Sequence, residues 1–78
     1  MKLVAIELET TLGAKYAFPD VELDIAQQLL RQWPPAEGKV VLVNASGAFL
    51  SLPFRIVAVL NVDGVLHWRR PNADLHEL

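Results

Sequence analysis

Few residues in this chain have side chains suited to chemistry, and most lie toward its C-terminal end. Arg55, His67, Trp68, Arg69 and Arg70 fall close together in sequence. An indole flanked by guanidinium groups can stack a nucleobase and hold phosphates. A two-residue turn at Asp63-Gly64 would set Val57 opposite Arg70 and Val59 opposite Trp68. Arg55, Trp68 and Arg70 would then share one strand face. Against a nucleic-acid role stand the acidic balance of the chain and the lack of other exposed aromatics to interleave. Trp68 in the core, with Arg69 and Arg70 as strand-end charges, is the competing reading.

The remaining polar candidates are weaker. His67 and His76 are the two histidines, and Asp74 and Glu77 add the carboxylates that would complete a mixed-ligand metal cluster. Three of those four residues fall in a short C-terminal tail, where holding coordination geometry is costly. Glu7 and Glu9 alternate along a strand, roughly 7 Å apart by strand rise, and so imitate the paired carboxylates of a glycosidase. A solvated strand face explains them better. Ser46 and Ser51 are nucleophiles by type, but Ala45-Ser46-Gly47 lacks the leading glycine of a nucleophile elbow. The four glycines are scattered and form neither a P-loop nor a dinucleotide fingerprint. No catalytic, cofactor-binding or metal-binding residue is therefore expected, and the chain reads as non-enzymatic.

The elements that must position these side chains follow from composition and pattern. Seventy-eight residues make one domain, assigned here to residues 1–71 with a tail at 72–78. Such a domain buries only roughly 60–65 % of its unfolded surface. Hydrophobic residues make up 53 % of the chain, against about 45–50 % in typical domains. Apolar surface left over after folding would suit a partner or a second copy of the chain. The net charge is −2 and the pI about 5.5, so overall charge does not attract nucleic acid or anionic membrane. The acidic residues concentrate in the first half: Glu7, Glu9, Asp20, Glu22, Asp24 and Glu37 outnumber Lys2, Lys15 and Arg31. The chain has no cysteine, which fits a reducing compartment. Glu7 and Glu9 break the apolar run of MKLVAIELET before a signal-peptide core could form. A cytoplasmic protein is expected.

Residues 40–62, VVLVNASGAFLSLPFRIVAVLNV, carry one charge, Arg55. The stretch is long enough to cross a bilayer, which takes about 20 residues. Its interior argues otherwise. Asn44, Ser46 and Gly47 form a turn signal, Pro53 lies near the middle, and valine-rich segments favour strands. It reads as two or three strands.

Residues 2–10 alternate Val4, Ile6 and Leu8 against Ala5, Glu7 and Glu9, a strand with one buried face. Thr11-Leu12-Gly13 turns the chain, and Lys15–Phe18 forms a short returning strand. Pro19-Asp20 opens an amphipathic helix, with Asp20 as its N-cap. Val21, Ile25, Leu29 and Trp33 form its apolar face, widened by Leu23, Ala26 and Leu30. Pro34-Pro35 stops it. Strands follow at Lys39–Val43 and Ala48–Leu52, joined by the Asn44–Gly47 turn. A strand from Phe54 to Asn61, apolar on both faces, should be central. Asp63-Gly64 is the strongest hairpin signal, and Val65–Arg70 is the last strand.

The expected class is α+β, in the order β-β-α-β-β-β-β, with one amphipathic helix over the sheet. The sheet would be a mostly antiparallel open one or a small, partly closed barrel resembling an Sm-like or SH3-like shape. One helix covers one sheet face only, so the second apolar face must close on itself or meet another chain. The chain is therefore expected to be a protein-interaction domain, a homodimer or a partner-bound module. Its apolar surface would lie around Phe49, Phe54 and Trp68. The alternative is a nucleic-acid-binding module using Arg55, Trp68, Arg69 and Arg70. No cofactor and no membrane association are expected.

Overall fold

The structure, a computed structural model, describes residues 2–71. Among these residues six strands and one α-helix follow the expected order. The strands are β1 (Leu3–Thr10), β2 (Lys15–Glu22), β3 (Lys39–Val43), β4 (Phe49–Pro53), β5 (Val57–Val62) and β6 (Val65–Arg69). The helix α1 (Leu23–Arg31) follows β2, and a single 3-10 turn at Phe54–Ile56 follows β4. All strand pairs are antiparallel. β2, β1, β5 and β6 form one four-stranded sheet in that order, and β3 and β4 form a separate hairpin. No barrel closes.

The core shows why. On the main sheet Val4, Ile6 and Leu8 of β1, Phe18 and Val21 of β2, and Val57, Leu60 and Val62 of β5 are buried. They form one cluster with Ala26 of the helix and with Val40, Leu42 and Leu52 of the hairpin. Helix and hairpin thus cover the same sheet face, in a two-layer arrangement. The opposite face carries Glu7, Asn61 and Lys15 and stays wet, as one-sided antiparallel sheets do. The 40–62 stretch supplies β3, β4 and β5. No helix among the described residues is long and apolar enough to cross a membrane.

Three bulges depart from the expected pattern. In β2, Val4 pairs with Val21 while Ile6 pairs with Phe18, so Pro19 and Asp20 together oppose Ala5. Asp20 takes a positive φ of 60° there. It does not cap the helix. The strand runs on to Glu22, which precedes the helix without a side-chain capping bond. The backbone N–H of Leu23 donates instead to the Lys2 carbonyl, at 3.0 Å. Strand pairing satisfies the first orphan donor and moves the helix N-cap two residues on, from Asp20 to Glu22. The dipole preference still holds, with Asp24 in the first turn and Arg31 in the last.

The second bulge lies in β5. Glu9 pairs with Val59 and Thr10 with Val57, which leaves Ala58 as the extra residue. Val57 and Leu60 both reach the core as a result, although three positions apart. β5 is central, as its two apolar faces predict, but it begins at Val57, because Pro53 turns the chain into the 3-10 turn first. The third bulge is at His67. The Asp63-Gly64 turn forms as predicted, with Val62 opposite Val65 and positive φ at both turn residues. Leu60 then pairs with Trp68 and Val59 with Arg69. The expected pairing of Val59 with Trp68 is corrected by one residue, and Trp68 turns to the core side.

Candidate functional site

The outward face of the β3–β4 hairpin holds an exposed apolar cluster, and Val65 and Leu66 on β6 are exposed as well. Val40 and Leu42 point inward and are buried, so Lys39, Val41 and Val43 point outward by strand alternation. Val43 lies directly opposite Phe49, and Val41 opposite Ser51. Val41 and Val43 are each 42 % exposed and Phe49 65 %. On the helix side this face runs into a groove of about 510 Å³. Leu29, Gln32, Pro35, Ala36, Glu37, Lys39 and Val41 line it. The cis Trp33–Pro34 peptide and the turn at Pro35–Gly38 bring the chain from the helix end to the start of β3.

Phe54 and Trp68, grouped with Phe49 in the sequence reading, lie elsewhere. They pack with Trp33, with ring centroids 5.3 to 5.4 Å apart for all three pairs. Each is half-buried against the core. Such tilted and edge-on pairs contribute about 0.5–1.5 kcal/mol beyond their buried area. The Trp33 Nε1 is buried with no hydrogen-bond acceptor among the described residues.

Arg70 belongs to this cluster. Its Nε donates to the Val57 carbonyl at 2.8 Å, and its terminal nitrogen donates to the Phe54 carbonyl at 2.6 Å. The guanidinium lies 4.9 Å from the Phe54 ring centroid and 5.2 Å from that of Trp68. It ties the end of β6 to the 3-10 turn. Arg55 and Arg69 are exposed, so the four residues of the nucleic-acid alternative divide into two packed and two solvated. Lysine cannot reproduce a forked donor stacked on rings. Arg70→Lys should therefore lower stability by about 1–2 kcal/mol, read as a drop in the urea midpoint. An unchanged midpoint would show that the two carbonyl bonds contribute nothing.

The other candidates do not assemble. Ser46 Oγ donates to Asn44 Oδ1 at 2.8 Å, so its hydroxyl serves a turn. Ser51 is exposed on the hairpin. Glu7 and Glu9 lie on the wet sheet face, opposite Asn61 and Val59 on one side and Ala17 and Lys15 on the other. They border a shallow recess of about 210 Å³ with Tyr16. His67 is exposed, whereas Asp74, His76 and Glu77 lie outside the described residues. No group of three metal-ligating side chains occurs among the described residues.

Comparison with protein-family models, with curated proteins and with solved structures found no match.

Two features lack a full local sequence signal. The groove joins Leu29 of the helix to Val41 of β3 across the loop between them, and no local pattern announces it. The outward pair Val41 and Val43 was visible as an apolar run on both strand faces, but not as a surface continuous with Phe49.

Proposed function

We propose that this protein is a small, non-enzymatic interaction domain that self-associates through the outward face of its β3–β4 hairpin. The observation that carries this reading is the Val41, Val43 and Phe49 stripe. It stays exposed although the inward face of the same hairpin already completes the core. A folded monomer gains nothing from a phenylalanine held in water opposite a valine, whereas two copies burying it would gain about 25 cal/mol for each Å² removed from solvent. Both strands of this two-stranded sheet also have an unpaired edge within it.

Sedimentation velocity over about 10 μM to 1 mM tests the reading, a range suited to a small interface. The wild-type protein should shift from monomer toward dimer. Phe49→Asp should hold it monomeric, with folding stability changed by no more than about 0.5 kcal/mol, as expected for an exposed position. A wild-type monomer throughout, or a dimer indifferent to Phe49→Asp, would overturn it. Co-sedimenting nucleic acid, lost on replacing Arg55 and Arg69 by alanine, would favour the nucleic-acid alternative instead.

A further inference from the structure

We draw no further inference here: the strongest candidate, the half-buried ring cluster of Trp33, Phe54 and Trp68 with the buried Trp33 Nε1 that has no acceptor among the described residues, carries nothing because nothing in the structure shows what covers it.

Discussion

Leu60→Ala should cost about 2–5 kcal/mol, the range for truncating a buried leucine. Leu60 is fully buried, at 0 % exposure, in the middle of the central strand β5. It pairs with Leu8 of β1 on one side and Trp68 of β6 on the other. The surrounding backbone is held by ladders on both sides and cannot collapse into the space. A domain of this length has a total stability of roughly 4–12 kcal/mol, so the loss consumes a large share of it. Urea unfolding should show a fall in midpoint with an unchanged slope, the mark of a stability change without a change in exposed area. The neighbouring residue supplies the control. Val59 is half-buried on the opposite sheet face, and Val59→Ala should cost about 1 kcal/mol or less. Equal losses at the two positions would mean that the core does not lie on the side covered by helix and hairpin.

That contrast rests on strand alternation, which is also the part of the fold most legible in the sequence. Alternation in residues 2–10 identified the buried set Val4, Ile6 and Leu8. The Asp63-Gly64 turn was legible because few residues accept positive φ at two successive positions. Ile25, Ala26, Leu29 and Leu30 of the helix face followed from spacing alone, whereas Val21 lies in β2 and Trp33 beyond the helix end. The bulges were not legible. A single extra residue reverses which side chains face the core, and nothing in Leu66-His67-Trp68 marks the slip. The nucleic-acid reading therefore set Trp68 beside Arg55, whereas the structure packs it with Trp33 and Phe54, as the competing core reading has it.

Pro19-Asp20 misled for a different reason. Proline followed by aspartate suits a helix start and a strand bulge equally well in local terms. What decides between them is distant: the Lys2 carbonyl receives the Leu23 N–H, and the turn after β3 binds the carbonyls of both Pro19 and Asp20. The surface stripe was half legible. Apolar residues on both faces of β3 signalled a second demand for burial, but only the separate hairpin shows that Val41 and Val43 face outward together with Phe49.

Asn44 holds the hairpin to the sheet, and Asn44→Ala should destabilise the protein by about 2–4 kcal/mol. Its side chain is buried and makes four hydrogen bonds. Nδ2 donates to the Pro19 carbonyl at 3.0 Å. Oδ1 accepts from the backbone N–H groups of Ser46 and Ala48, at 3.1 and 2.9 Å, and from Ser46 Oγ at 2.8 Å. Oδ1 thus closes the turn, and Nδ2 docks that turn on the β2 bulge beside the backbone bond from Ala45 to Asp20. Asn44→Asp separates the two roles. A carboxylate still accepts the three turn bonds but has no proton for the Pro19 carbonyl, so it should lose about 1–2 kcal/mol. Thermal unfolding of the two variants should rank wild type above Asn44→Asp and Asn44→Ala lowest. Equal losses would assign the whole effect to docking, and a loss below about 0.5 kcal/mol in Asn44→Ala would sink the role altogether. Because β3 and β4 carry the outward stripe, loosening their turn should also weaken self-association in Asn44→Ala. Phe49→Asp would do the reverse, removing the contact while leaving the fold intact, and the pair of variants distinguishes the surface from the anchor that presents it.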